Sequence, residues 1–281
     1  MSVTINTNVD SIKIQNCLSS STNKLSKAME RMSTGLKINS AKDDAAGTVI
    51  AAKMGVQLDG NSICQNNVQS ANALLSTAEG NLDVVQDNVT RIRDLALQAK
   101  NGTYSDSEIS AMNDEVQERL AEINRVSQSA KYSDSSLFED TAGKGTNGAT
   151  FQVGANAGDE NTIKADKSIF ASVKFSSLSS LQNFKLTKAN ATDDTIQKLD
   201  TAINNITDRK SKIGSAQNRL ESALSTLETQ YTNLSASKSI ITDADIASEA
   251  SNYTSANILQ QISTSLLAQA NQAPSVALSL V

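Results

Sequence analysis

A long apolar stripe between Ile196 and Leu234 constrains the fold of this chain more than any other feature of its sequence. Alternating steps of three and four residues along this segment reach twelve positions, and ten of them are apolar. Such spacing places the stripe on one face of an α-helix, and its persistence over many heptads is typical of a coiled coil. The helix must bury this face, so we expect it to return antiparallel along helices formed earlier in the chain.

Three sets of apolar residues with helical spacing precede this stripe and predict the helices that it packs against. The first set is Leu18, Leu25, Met29, Met32 and Leu36. The second set extends over a longer segment and consists of Val49, Ala52, Val56, Ile63, Ala71, Leu74, Ala78, Leu82, Val85, Val89, Ile92, Ala96 and Ala99. The third set is Ile109, Met112, Val116, Leu120, Ile123 and Val126.

Capping and turn signals separate the predicted helices. Three segments resemble a capping box, in which a Ser or Thr and an acidic residue three positions later bind each other's backbone N–H groups. These segments are Ser40–Asp43, Ser105–Glu108 and Thr242–Asp245. We expect the first two to open the second and third helices, and the third to separate the long heptad helix from the nearly uncharged tail. Asn101 followed by Gly102 predicts the turn between the second and the third helix.

Glycines mark a different structure in the middle of the chain. Five of the twelve glycines fall between Gly143 and Gly158, and only Gly214 follows them. Thr150–Val153 and Thr162–Ala165 flank a polar, glycine-containing stretch and predict two short paired strands. Four later apolar residues are expected to extend this β region, namely Phe170, Val173, Phe175 and Leu178. The predicted fold class is mainly α: an elongated antiparallel helical bundle or coiled coil formed by the N- and C-terminal regions, with a small β-hairpin region in the middle.

Both ends of the chain are almost free of charge. Between residues 246 and 281 the only charged side chain is Glu249, and between residues 1 and 23 only Asp10 and Lys13 are charged. At the chain average of 20% charged residues, the first of these segments alone would carry about seven charges, as a solvated surface does. The ends are too polar to cross a membrane and too uncharged for an ordinary solvated face. They indicate burial in protein–protein contacts, and two such ends suggest an assembly.

The composition argues against catalysis and against metal or cofactor binding. The chain has no histidine, which excludes the common zinc-protease site, the Ser–His–Asp triad and the Cys–His dyad. Its two cysteines, Cys17 and Cys64, form no CxxC pair, and Cys64 is expected to be a small buried hydrophobe. Asp43 and Asp44 could in principle form a metal or acid–base pair, but carboxylates at the start of a helix more commonly complement the helix dipole. No basic run indicates nucleic-acid binding.

Targeting signals are also missing from the sequence. No basic segment followed by an apolar stretch of about 7–15 residues opens the chain, and no apolar run approaches the ~20 residues of a transmembrane helix. We therefore expect a soluble chain without membrane insertion, or one exported by a route that does not read a standard signal peptide.

Several motifs resemble those of bacterial flagellins. Leu25–Gly47 and the opening segment Val3–Asn8 are similar to the N-terminal signature of that family. Ile258–Gln261 and Ser265–Gln272 resemble its C-terminus, and Phe151–Asn156 resembles a motif just inside the central region. The resemblance covers roughly residues 1–160 and 190–281 in the same order. Two features depart from the family's usual pattern: the two cysteines and a chain that ends without the frequent terminal Arg or Gly.

This resemblance implies a fold and a function. The termini would pair in an inner helical domain made of residues 1–44 and 240–281, and residues 45–239 would form an outer domain with a β region at about 140–190. The protein would be a structural subunit that self-assembles into the extracellular flagellar filament for motility. It would be exported unfolded by the flagellar type III apparatus without a cleaved signal peptide. Its further partners would be a secretion chaperone at the C-terminal segment and the filament cap and junction proteins.

The resemblance also nominates site residues. Assembly is assigned to apolar residues of the terminal helices: Leu25, Met32, Leu36, Ile258, Leu259, Ile262, Leu266 and Leu267. Residues 91–98 and Glu115 resemble the surface that a vertebrate Toll-like receptor reads in many flagellins, with Arg91, Leu95 and Glu115 as the matched contacts. The alternative is that Leu95 packs between helices and Arg91 is a solvated charge.

Two other functions compete with the filament subunit. A hook–filament junction protein shares the terminal helices, and a coiled-coil effector or adhesin secreted by a type III apparatus is a rival of another class. The matches in residues 41–47 and 267–272 favour the filament, and an effector would not need two nearly uncharged termini.

Overall fold

The computed structural model describes residues 7–133, 135–138, 148–179 and 184–278, with side chains up to Gln272. Within these ranges the α-helices are α1 (Val9–Thr34), α2 (Ala45–Lys100), α3 (Asp106–Ser129), α4 (Phe175–Ser179), α5 (Asp193–Thr242) and α6 (Ile246–Leu278). The strands are β1 (Lys131–Tyr132), β2 (Ser135–Ser136), β3 (Thr150–Gln152) and β4 (Thr162–Lys164). The predicted class, mainly α with a small β region, is confirmed.

The chain divides into two compact units. The central unit comprises Asp59–Tyr231, and the terminal unit combines Met1–Leu58 with Thr232–Val281. The domain boundaries expected from the sequence, 1–44 with 240–281 and 45–239, stay a prediction.

The apolar stripe of α5 forms one side of the core of the central unit. Every seventh residue from Leu199 to Leu227 is buried, which gives Leu199, Ile206, Ile213, Leu220 and Leu227. The residues between them, such as Ile203 and Leu224, pack against the same core while partly buried. The stripe leaves the core near its end, since Tyr231 is 42% exposed. One face of a long helix is therefore buried as its heptad spacing predicts.

Helix α2 runs antiparallel to α5 and to α3 in the central unit. Asp83 of α2 pairs with Lys210 of α5 at 2.5 Å, and Arg93, further along α2, pairs with the earlier residue Asp200. Contacts in opposite order along the two helices define an antiparallel packing. Arg91 of α2 likewise meets Glu115 of α3. The return of the late helix along the early ones is confirmed.

The central β region is a pair of small antiparallel sheets. Strand β3 pairs with β4 so that Phe151 lies opposite Ile163, which confirms the predicted hairpin. Strands β1 and β2 form a second pair that the sequence patterns did not indicate.

The expectation that Phe170, Val173, Phe175 and Leu178 extend this sheet is wrong. A 3-10 helix over Lys167–Phe170 and helix α4 occupy this segment, and all four residues are buried in the core of the central unit. The Asp166 side chain accepts a hydrogen bond from the Ser168 N–H at 2.8 Å, which favours the helical turn over a strand. Arg209 of α5 donates to the Ala171 carbonyl at 2.8 Å and fixes the segment against that helix.

Only one of the three predicted capping boxes forms. Ser105 and Glu108 cap α3 reciprocally, as expected. Helix α2 begins at Ala45, where Asp44 accepts from the Gly47 N–H at 2.9 Å, so the predicted start at Ser40 is wrong. The predicted box at Thr242 is wrong too, because Thr242 ends α5 and Asp245 alone accepts from the first turn of α6. In both cases an Asp adjacent to the helix provides the acceptor.

The terminal unit is built on the antiparallel pair of α1 and α6. Ser11 donates to Asn271 at 3.0 Å, and Gln260 donates to Thr22 at 3.3 Å, so the two helices run in opposite directions. At the other end of the pair, Arg31 contacts Glu249 at 2.8 Å. No helix among the described residues is long and apolar enough to span a membrane.

The first part of the stripe predicted for α2 does not face a core. Val49, Ala52, Val56 and Ile63 are exposed, and Val56 reaches 73% exposure. Ala51 and Leu58 are buried instead, on a different face of the same helix. Periodicity identified an apolar face correctly, but in an isolated subunit that face is open to solvent.

Candidate functional site

The contact between α1 and α6 buries small residues. Ser21 and Ala28 of α1 and Ala256 and Ser263 of α6 are all less than a tenth exposed. Each pair is separated by seven residues, so the buried line of each helix repeats with the heptad. Small side chains allow close approach of the helices but remove little apolar surface from water.

Several large apolar residues of α1 and α6 instead face outward, whereas others such as Leu25 and Leu267 are half-buried. Eight of the exposed ones are Val9, Ile12, Met29, Met32, Ile258, Leu259, Ile262 and Leu266, each between 37% and 51% exposed. The four residues of α6, Ile258, Leu259, Ile262 and Leu266, have helical spacing and lie on one side of that helix. Exposed apolar side chains grouped in this way mark protein–protein contact surfaces. We call the set of eight the outer apolar face.

The assembly residues nominated from the sequence fall mostly on this face. Met32, Ile258, Leu259, Ile262 and Leu266 belong to it, and Leu36, just beyond α1, is exposed as well. Leu25 and Leu267 are half-buried. Met29 was noted in the stripe but not nominated, although its spacing from Met32 could have identified it.

Two ion pairs connect segments of the terminal unit. Arg31 Nη1 lies 2.8 Å from Glu249 Oε1, and Asn252 donates to the other carboxylate oxygen at 3.3 Å. Glu249 is only 9% exposed, and the guanidinium of Arg31 holds the pKa of this carboxyl below its ordinary value of 4.5. The sole charge of the C-terminal segment is therefore placed in a specific contact. Its partner lies 218 positions away, and no local pattern in the sequence indicates this pairing.

The second pair fixes the segment between α1 and α2. Lys27 Nζ lies 2.8 Å from Asp43 Oδ1, and the other carboxylate oxygen accepts from the backbone N–H groups of Asn39 and Ser40. The Lys27 contact lowers the pKa of Asp43 to about 2. Asp44 accepts from the Gly47 N–H at the start of α2, which agrees with the helix-related interpretation of this pair, whereas Asp43 lies before the helix and binds Lys27 and the preceding backbone.

In the central unit the residues nominated for a receptor do not form one exposed patch. Arg91 Nε and Nη2 bind Glu115 at 2.7 and 3.0 Å, and Arg119 lies 3.6 Å from the same carboxylate. This contact raises the pKa of Arg91 and lowers that of Glu115. Leu95 is 2% exposed and belongs to the hydrophobic core. Arg91 and Glu115 therefore lie together at the surface, whereas Leu95 supports them from the interior.

Neither cysteine has a disulfide partner. Cys17 is exposed on α1, and Cys64 is buried on α2, where burial raises the pKa of its thiol. The expected burial of Cys64 is confirmed. Among the described residues no three acidic or cysteine side chains are grouped as metal ligands.

Comparison with known proteins identifies the chain. Residues 5–143 match the family model for the bacterial flagellin N-terminal helical region, and residues 196–281 match that for the C-terminal helical region. The chain belongs to the bacterial flagellin family. A flagellin of Halalkalibacterium halodurans is 34% identical over 99% of both chains. A flagellar filament core protein of Treponema phagedenis is 32% identical over 99% of both chains. The crystal structure of Bacillus cereus flagellin is similar over 62% of this chain and 94% of its own, with 28% identity and a TM-score of 0.49.

The family establishes the general function. The chain is a structural subunit of the bacterial flagellar filament, an extracellular self-assembled polymer, and the prediction of a filament subunit is confirmed.

Proposed function

We propose that the flagellin subunit polymerises chiefly through the outer apolar face of its terminal unit. The observation that carries this proposal concerns which residues the α1–α6 contact buries. The small residues Ser21, Ala28, Ala256 and Ser263 are buried, while large apolar residues of both helices face solvent. A stable isolated helix pair would place its large apolar residues in the contact instead. A second copy of the chain, which carries the same uncharged face, is the natural occupant.

Seeded filament growth tests this proposal. Replacing Ile258 and Ile262 together by Ser should slow elongation from filament seeds by about tenfold or more, because two interface anchors are lost. The matched control is Val84→Ser, which removes a comparably exposed apolar side chain, 42% exposed, from the central unit. Equal slowing by the control and the double variant contradicts a role concentrated in the terminal unit. Failure of the wild-type chain to elongate seeds contradicts filament formation itself.

We further propose that α6 is the segment that a secretion chaperone holds before assembly, that the subunit contacts the filament cap and junction proteins, and that it leaves the cell without a cleaved signal peptide. A helix with one charged residue, Glu249, and with Ile258, Leu259 and Leu266 exposed is a surface that needs cover before polymerisation. We infer no enzymatic role, which the absence of histidine from the sequence supports. Binding of the purified chaperone to wild-type chain and to the Ile258→Ser/Ile262→Ser chain measures the first of these contacts, and equal affinity contradicts it.

We also propose that a vertebrate Toll-like receptor reads the monomer around Arg91 and Glu115, with Leu95 supporting that surface from the core. The support is the resemblance of residues 91–98 and the salt bridge that holds the two charges on adjacent helices. Arg91→Ala should weaken receptor signalling by monomer about fivefold or more. Arg125→Ala, which breaks an exposed pair with Glu122 on α3, is the control. Unchanged signalling by the Arg91 variant contradicts the site.

A further inference from the structure

The buried residues in the contact between α1 and α6 recur every seven residues. This repeat does not determine which residue of α1 lies opposite which residue of α6. On α6 the positions 249, 256, 263 and 270 follow one line, and on α1 Ser21 and Ala28 follow another. Ala256, Ser263, Ser21 and Ala28 are all small and buried. Sliding one helix past the other by seven residues, about 10 Å, would bring the same two lines together again, with Ile14 as the residue of the α1 line that precedes Ser21. Packing alone therefore distinguishes these alignments poorly.

One side-chain contact on this line differs from the rest. Glu249 is the first of the four positions, it is 9% exposed, and it pairs with Arg31 at 2.8 Å. A slide by seven residues would separate these two charges and leave Arg31 at the end of α1 without its carboxylate. Loss of one partner from a largely buried pair is far more costly than loss of a small–small contact.

Backbone hydrogen bonds also connect the two segments at this end of the helix pair, but they do not depend on the identity of the side chains. Lys37 N–H donates to the Thr242 carbonyl at 2.7 Å, and Ala244 N–H donates to the Gly35 carbonyl at 2.9 Å. Such bonds form between any residues other than proline at the donor position, so they can be rebuilt in another alignment. The charge pair is sequence-specific, as a polar pair in a coiled-coil seam is.

We infer that the Arg31–Glu249 pair sets the register of the terminal helices and so selects the alignment that can enter the polymer. This inference rests on the proposed role of the terminal unit in assembly. Lys24 lies seven residues before Arg31 on α1, where a slipped α6 would present Glu249 to it. Arg31→Glu therefore drives a slip toward Lys24, because the like charges repel and a new cation is available one heptad away.

The register is measurable with spin labels on the full chain. Cys17 of α1 is exposed and lies level with Ser265 of α6, given the Ser11–Asn271 and Gln260–Thr22 contacts. Labels are placed on Cys17 and on either Ser265→Cys or Ser255→Cys, both exposed positions of α6 outside the outer apolar face, in a Cys64→Ala background. Labelled chain is mixed with an excess of unlabelled chain under assembly conditions, and pulsed electron paramagnetic resonance reports both distances.

The two distances distinguish a change of register from a loss of stability. In Arg31→Glu the distance from residue 17 to 265 lengthens and that from 17 to 255 shortens. In Arg31→Glu/Glu249→Arg both distances return, because the reversed pair fits the original alignment and repels Lys24 in the slipped one. Broadening of both distances without this exchange means that the pair merely stabilises the helices, and it overturns the register claim.

Seeded growth of the same variants connects register to assembly. Arg31→Glu and Glu249→Arg should each slow elongation by about tenfold or more, and the reversed pair should recover to within about threefold of wild type. Arg125→Glu in α3, which disrupts an exposed pair, should elongate as wild type does. Single and double variants that are equally slow overturn the proposal. A wild-type chain that fails to elongate contradicts the proposed function, and the register measurement still stands.

Discussion

Glu249 and Asp43 are the carboxylates on which the terminal unit depends most. Each is held by a cation of α1, Arg31 and Lys27 respectively, and each also accepts hydrogen bonds from neighbouring N–H groups. These contacts favour the charged form, which lowers both pKa values. A carboxyl whose pKa is lowered by folding stabilises the folded state only while it is ionised.

Acid should therefore weaken the terminal unit before the central core unfolds. For both groups the folded pKa lies below the unfolded one, so their contribution is complete above the ordinary values of 4.5 and 3.8. It is lost as the pH falls through those values and, for Asp43, down to about 2. Thermal melting of filaments at decreasing pH checks this. Glu249→Gln should be less stable than wild type at neutral pH and should lose less stability on acidification, and parallel pH profiles for the two chains contradict the assignment.

Leu95 and Arg91 should behave oppositely on mutation, although both were nominated for one surface. Leu95→Ala removes a fully packed side chain and should destabilise the central unit by about 2–5 kcal/mol. Arg91→Ala breaks a pair whose side chains are 43% and 35% exposed, and solvent screening makes the loss of stability much smaller than that of Leu95→Ala. Denaturant unfolding measures both. An unchanged unfolding free energy for Leu95→Ala would show that Leu95 does not belong to the core and lies at the surface.

Helices with sustained periodicity and the β3–β4 hairpin could be predicted, and the short helical segment around Phe175 could not. The stripe of α5 could be recognised from the sequence alone, because burial of Leu199, Leu220 and Leu227 follows directly from heptad spacing. The segment around Phe175 has apolar residues at irregular spacing, and its conformation is decided by contacts with α5 such as that of Arg209. Residues distant in sequence determine it, so local patterns are not sufficient.

The same reasoning explains the candidate site. The uncharged termini indicated assembly, and the nominated residues Met32 and Ile258 prove to be exposed. Their exposure could not be told from burial by periodicity, because both give a stripe on one face. The Arg31–Glu249 pair could not be found at all, since helix pairing had first to bring these residues together.

Helix α5 allows a matched test of buried and exposed positions on one stripe. Leu227→Asp places an unpaired charge at a position that is 3% exposed, and should cost several kcal/mol, on the order of 3 or more. Tyr231→Asp makes the same kind of change four residues later, where the side chain is 42% exposed, and should cost about 1 kcal/mol or less. Circular dichroism melts compare the two. Similar melting temperatures for both variants would show that the core does not end where the stripe becomes exposed.

The two units of the molecule differ in what they bury. The core of the central unit extends from Cys64 to Leu227 and includes leucine, isoleucine and phenylalanine side chains. Among the described residues of the terminal unit the buried hydrophobic side chains are Ala28, Ala51, Leu58 and Ala256. Burial of this size offsets little of the ~1–2 kcal/mol per residue that ordering the backbone costs. The terminal helices must therefore gain stability from contacts outside their own subunit.

Limited proteolysis of monomer and filament tests this dependence. In monomer, cleavage should occur first within about residues 1–40 and 245–281, because short-lived opening of a weakly stabilised helix pair exposes its backbone. A helical fragment containing the central unit should remain. In filaments the same segments should be protected, because neighbouring subunits cover the outer apolar face, so one chain serves as its own control in two states. Monomer that resists cleavage at its ends as well as the filament does would show that the terminal unit is stable alone, and the outer apolar face would then have no need of a second copy.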